Sequence, residues 1–333
     1  MRLKFISLFF LISILLYIIY NKEDFTAQAV GLILQYTENF NNKLSRVLSF
    51  FINIKSSMIS IERCESALNT KSEKNPKENE EIKIKEKNWP KKGKIEFINF
   101  SAKYRQFTPL ILKNINIKIN PGEKIGIVGR TGSGKTSLIN ALFRIFDGFE
   151  GEILIDDINI KKLNLDFLRQ NLTIVTQEPF LLEGTLKENI DPLNKYSDNE
   201  IIEILNNFCL FNEIQSDYRR LRIEIKENGN NLSIGEKQLI CFARAALKKS
   251  KIIILDEATS SLDINTEKII SKNMDILFKD CTVIMIAHHI NIVEECDRIF
   301  VVDNGEIVEN GIYDNLLSNK KSKFYELYSE IKF

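Results

Sequence analysis

A run of glycines with one lysine and one threonine carries the plainest chemical message in the sequence. Gly129, Arg130, Thr131, Gly132, Ser133, Gly134, Lys135 and Thr136 follow the apolar stretch 124–128 and precede the helix-like stretch 137–146, which opens on Ser137. Glycines let backbone N–H groups wrap an anion at a helix amino end. Lys135 reaches the outer phosphates of a nucleotide, and the Thr136 hydroxyl is placed to ligate Mg²⁺. Far along the chain, the apolar run 252–255 ends in Asp256 and Glu257. Acids at the carboxyl end of a strand lie where open α/β sheets bind ligands. Asp256 then holds the hydration shell of a metal beside Thr136, and Glu257 orients or deprotonates an attacking water. Alone, such a pair reads as a helix cap; with the glycine loop it reads as chemistry.

Elements must place these groups. Short apolar runs at 94–100, 111–119, 124–128, 152–155, 172–175, 251–255, 282–286 and 298–302 alternate with turn signals and helical stretches. Runs that are apolar at every position, such as 252–255 and 283–286, suit central parallel strands covered on both faces, so the class is α/β.

At 333 residues the chain has room for two domains. Lys plus Arg number 46 and Asp plus Glu 45, and this balance of +1 argues against a nucleic-acid partner. The five cysteines show no paired spacing and no partner His at metal spacing, which suggests neither a zinc site nor a disulfide framework and fits a reducing compartment. Residues 5–20 carry no charge. Sixteen helical residues reach about 24 Å, close to the ~30 Å of a bilayer core. A signal peptide is the alternative, but no small-x-small cleavage site follows. The stretch 25–51 is apolar with interspersed Gln, Asn, Glu and Lys. It reads either as an amphipathic helix or as a membrane helix whose polar stripe faces other helices. Residues 69–93 are almost wholly charged or polar and read as a linker.

With these pieces in place, further segments resemble the nucleotide-binding domain of the ABC transporter family. Leu232, Ser233, Ile234, Gly235, Glu236, Lys237 and Gln238 resemble its signature, Ser260, Ser261, Leu262 and Asp263 its D-loop, and His288 its switch histidine. Gln177 matches its Q-loop glutamine and Tyr104 its adenine-stacking aromatic. Trp89-Pro90 and the stretches 121–132, 184–192 and 297–299 look like the multidrug-resistance (C) subfamily, in particular its second, C-terminal cassette. The likeness is close from about residue 89 to 317.

The resemblance implies a P-loop NTPase (RecA-like) core with an antiparallel β subdomain and an α-helical signature subdomain, preceded by one or two transmembrane helices. It divides the chain into a partial transmembrane domain at 1–68 (helices about 3–20 and 25–52 with a cytosolic extension), a linker at 69–93 and the cassette at 94–333. It implies an ATPase in which Lys135, Glu257 and His288 are catalytic. Tyr104, the loop residues 129–137, Gln177 and Asp256 bind ATP, and Thr136, Gln177 and Asp256 hold Mg²⁺. Ser233 and Gly235 cover the nucleotide of a second cassette, in the same or another chain, closed head to tail. The implied whole is an integral membrane exporter with its cassette in the cytoplasm and an unidentified small-molecule substrate. Two hydrophobic segments cannot make a pathway of about twelve helices, so the rest belongs to a longer protein or another chain. An ATP-gated channel or channel regulator of the same subfamily and a soluble ABC ATPase are the alternatives. Two departures stand out: Glu236 brings a negative charge to the signature, where Gln is usual and the partner's γ-phosphate would sit, and His289 stands where Arg is usual.

Overall fold

The computed structural model describes the backbone of residues 2–21, 25–70, 89–105, 107–146, 148–211, 214, 216–258, 262, 264–287 and 293–331. It divides into two compact units, 1–73 and 74–333.

The first unit is helical. α1 spans Arg2–Tyr20 and α2 spans Ala27–Leu68. Thr26 starts α2 by accepting from the Ala29 N–H at 3.3 Å, which satisfies one of the orphan donors of a helix amino end. Large apolar side chains are exposed along both helices, among them Phe9, Leu16, Ile19, Phe40, Phe50 and Ile52. Among the described residues no helix is long and apolar enough to cross a membrane. The side chains of residues 1–8 fall outside that description.

The second unit is α/β. Its strands are β1 (Ile95–Lys103), β2 (Leu112–Ile119), β3 (Lys124–Val128), β4 (Gly148–Ile155), β5 (Ile158–Asn159), β6 (Leu172–Val175), β7 (Gly184–Thr185), β8 (Glu224–Ile225), β9 (Ile252–Asp256), β10 (Thr282–Ile286), β11 (Arg298–Asp303) and β12 (Glu306–Gly311). The helices are α3 (Lys135–Leu142), α4 (Leu165–Asn171), α5 (Leu186–Ile190), α6 (Asp198–Asn207), α7 (Asp217–Leu221), α8 (Ile234–Lys248), α9 (Ile264–Leu277), α10 (Tyr313–Ser318) and α11 (Lys323–Ile331). An antiparallel sheet runs β2-β1-β4-β5, and a second sheet runs β12-β11-β3-β10-β9-β6. In the second sheet every neighbouring pair is parallel except β11 with β12.

The central strands are apolar throughout because each face meets a different core. Along β9, Ile252 and Ile254 join the core shared with the antiparallel sheet and α3, while Ile253 and Leu255 join the core of α5, α6, α8 and α9. β10 divides the same way, with Ile284 and Ile286 on one side and Val283 and Met285 on the other. Each such side chain contributes about 1.5–3 kcal/mol on burial, which is what holds β9 and β10 at the centre. At Gly126 in β3 a Cβ would lie 2.6 Å from the Val293 Cγ1, so only glycine lets that segment pack.

The expected strands are all present within a few residues. One begins earlier than expected and one strand was not expected, each for a physical reason. β4 begins at Gly148, earlier than its apolar core, because pairing of Lys103 with Gly148 and Ala102 with Phe149 extends the ladder. β12 has no apolar run at all; its residues alternate between exposed and half-buried on the edge of the sheet, where one face stays wet. Residues 71–88, most of the expected linker, lie outside the described residues.

Candidate nucleotide site

Parallel register assembles the site. In the order β3-β10-β9-β6 the strands run the same way, so the segments after Val128, Ile286, Asp256 and Val175 leave from one edge of the sheet. The first, third and fourth of those segments carry the glycine loop, Glu257 and Gln177. This is the edge at which open α/β sheets bind ligands.

The loop after β3 is held tightly. The Ser133 N–H donates to the Arg130 carbonyl at 3.1 Å, and the Ser133 carbonyl accepts from Gly305 N–H at 2.9 Å. Gly134, the residue before α3, has φ +113°, a left-handed conformation that favours glycine. At Gly129 a Cβ would lie 2.2 Å from the Val302 carbonyl oxygen, so the loop can close on β11 only without a side chain there. The Ser133 hydroxyl is buried and has no hydrogen-bond partner among the described residues. A buried polar atom without a partner is costly and points to a ligand that supplies one. Close-set backbone at a helix amino end together with this orphaned hydroxyl fits a polyphosphate.

Lys135 is 6 % exposed, and its Nζ donates to the Gly129 carbonyl at 2.7 Å and the Arg130 carbonyl at 3.2 Å. Burial lowers its pKa, while Glu257 and then Asp256 act to raise it. The amine, the loop and the two acids are therefore electrostatically one site.

Asp256 closes β9 opposite Ile286 of β10. Burial, and next Glu257, push its carboxyl above the ordinary range, and Lys135 pulls it back. A carboxyl raised in this way stabilises the fold while it is protonated, and that contribution is lost as pH rises through the folded pKa. The net upward direction means that ionised Asp256 costs stability despite its attraction to Lys135. Asp256→Asn is expected to raise the thermal midpoint of the nucleotide-free chain at neutral pH, with the gain shrinking as pH falls into the carboxylate range. A lower midpoint at neutral pH contradicts that placement. Glu257 sits at φ +51° and donates its N–H to the Ile286 carbonyl at 3.0 Å. A non-glycine residue in the left-handed region is uncommon, and such backbone clusters at functional sites.

Tyr104 is about half exposed (47 %), with its ring 4.8 Å from Phe146. Its hydroxyl shares a hydrogen bond with the buried Ser137 Oγ at 3.1 Å and accepts from Asn140 Nδ2 at 3.3 Å. The aromatic is thus tethered to the helix into which the phosphate loop runs. Ser137, expected among the ATP-binding residues, has its hydroxyl engaged with Tyr104. Phe146 and Asn140 are supporting residues that sequence reasoning missed, since neither belongs to a motif.

Thr136 and Gln177 are exposed. No group of three His, Cys, Asp or Glu side chains that could hold a metal exists among the described residues. Ser233 and Gly235 lie at the amino end of α8. Ser233 donates its N–H and its hydroxyl to Glu236 Oε2, both at 2.7 Å, and the Glu236 N–H returns a bond to Ser233 Oγ at 3.2 Å. The carboxylate expected to confront a neighbouring phosphate is folded back on Ser233 as a capping box. The Ser-x-x-Glu spacing is the sequence signal for it. Ser260, Ser261, Asp263, His288 and His289 lie outside the described residues.

A mainly parallel sheet with a glycine loop running into a helix, and an acid pair on the same sheet edge, defines a phosphate-loop nucleotide-binding domain. Residues 112–260 match the ABC transporter family. The chain is 40% identical over 322 residues to ATP-binding cassette sub-family C member 2 of Rattus norvegicus, covering 96% of this chain and 20% of that protein. It is 41% identical over 314 residues to Metal resistance protein YCF1 of Saccharomyces cerevisiae, covering 92% of this chain and 20% of that protein. Among solved structures it resembles a bacterial Atm1-family ABC exporter with ATP bound, with TM-score 0.74 and 27% identity, covering 90% of this chain and 53% of that one. Residues 112–260 carry an ABC transporter family domain, and the chain is similar over most of its length to one part of C-subfamily members. It spans about one fifth of the length of these curated relatives.

Proposed function

We propose that the chain is the ATPase-bearing end of an ABC exporter, in which hydrolysis at two cassettes closed head to tail drives transport across a membrane. The observation that carries this reading is the electrostatic unit of Lys135, Asp256 and Glu257 at one sheet edge. Lys135 and the loop N–H groups hold the phosphates. Thr136, Asp256 and Gln177 hold Mg²⁺, which offsets phosphate charge when bound. Glu257 accepts the proton of the attacking water, and His288 stabilises the γ-phosphate. The work is positioning and electrostatics, with no covalent intermediate. Tyr104 stacks the base, and Ser233 and Gly235 complete the site of the second cassette.

In this reading α1 and α2 are the last membrane helices before the cassette, at about 3–20 and 25–52, with the end of α2 extending into the cytosol and the cassette on the cytoplasmic side. Their exposed apolar side chains support it. The remaining helices and the second cassette come from elsewhere in the same protein or from another chain. Carbonate extraction of membranes from cells making the chain should leave it in the pellet; complete release contradicts the exporter reading and favours a soluble ATPase. A substrate-independent ion current in reconstituted vesicles would instead favour a channel.

The capping box supplies a further expectation. Glu236→Gln keeps the box, since Gln serves at that position, and removes a negative charge from the face that receives the partner's phosphates. ATP-driven association of cassettes should strengthen several-fold by analytical ultracentrifugation; unchanged or weaker association contradicts a repulsive role for Glu236.

A further inference from the structure

The segment that carries Gln177 is pinned by the signature helix at both ends. On α8, Gln238 is 2 % exposed, and its Nε2 donates to the Thr176 carbonyl at 3.1 Å, immediately before Gln177. Further along α8, Arg244 donates to the Phe180 carbonyl at 2.6 Å and to the Asn189 side-chain oxygen at 3.0 Å. Asn189, 1 % exposed, in turn donates to the Leu182 carbonyl at 2.9 Å and the Thr185 carbonyl at 3.1 Å. Between these pins Gln177, Glu178 and Phe180 are exposed. A short exposed loop tied at both ends to one rigid helix moves with that helix.

We infer that Gln238 is a positioning residue that couples the two nucleotide sites served by this domain. This inference rests on the functional reading above. Gln177 faces the nucleotide on this chain's own loop, and Ser233 faces the nucleotide of the second cassette. The path between them is the peptide 176–177, one part-buried hydrogen bond whose donor side chain is almost wholly covered, and the five residues of α8 back to Ser233. Gln238 is not among the residues that hold either nucleotide in that reading, and its amide joins the backbone beside Gln177 to the amino half of α8. Engagement of Gln177 by a γ-phosphate and its metal therefore firms the amino half of α8, the part that must present Ser233.

The test uses the full chain at a concentration where it is monomeric, with Mg²⁺ and a β,γ-imido analogue of ATP, and reads amide hydrogen exchange. In the wild type the analogue should slow exchange of the amides at 234–240 at least threefold, and ADP should not. Gln238→Met, and the isosteric Gln238→Glu, whose carboxylate has no proton to donate, should bind the analogue with unchanged affinity and lose that slowing. Thermal melts establish which of the two variants is folded, and either suffices. Equal slowing in wild type and a folded variant overturns the inference, as does a wild type that binds the analogue with no change at 234–240. A wild type that does not bind the analogue at all overturns the functional reading itself.

Discussion

The Glu257→Gln chain should bind ATP as tightly as the wild type and hydrolyse it about 10²–10⁴-fold more slowly, the contribution usual for a positioned general base. The amide has the shape of the carboxylate, so the left-handed turn at this residue and its N–H bond to the Ile286 carbonyl are kept. What is lost is the proton acceptor. Binding is preserved because the phosphates are gripped by the loop after β3 and by Lys135 at the start of α3, not by Glu257. Removing this negative charge also relieves the repulsion between Glu257 and Asp256, so affinity should not fall. Single-turnover hydrolysis at saturating ATP is the measurement, and an unchanged rate would refute the assignment of the base.

The second large effect concerns the amine. Lys135→Ala should weaken ATP binding by about two orders of magnitude, in line with the ~2–5 kcal/mol cost of truncating one partner of a buried charged pair. Two consequences compound. The phosphates lose a buried cation, and Asp256 and Glu257 lose the positive charge that offsets them, so Asp256, already raised by burial, rises further. The carbonyls of Gly129 and Arg130 also lose their donor. Titration calorimetry should show the loss. A Lys135→Ala chain that binds ATP within threefold of wild type would mean that the loop N–H groups alone hold the phosphates.

The parts legible in sequence are those where local chemistry and long-range packing demand the same residues. Strands β9 and β10 declare themselves because burial on two faces leaves no polar position, and the glycine loop declares itself because backbone must approach both a ligand and Val302. β12 was not legible: at an edge it needs only alternate contacts, and Glu306, Glu309 and Asn310 conceal it. The seat of Tyr104 was hidden for another reason. Its partners Ser137, Asn140 and Phe146 are brought to it by the pairing of β1 and by α3, over separations of 33 to 42 positions. The Gln238 bond to Thr176 spans 62 positions and exists only because α8 packs beside β6. The fold of Glu236 onto Ser233, by contrast, was available in the spacing; reading the segment as a phosphate-facing signature obscured its capping role.

Calorimetric titration of the full chain with ATP should show saturable one-to-one binding that weakens at least tenfold when Mg²⁺ is chelated. No saturable Mg²⁺-dependent binding, even after a complementary cassette is added, would contradict the nucleotide site.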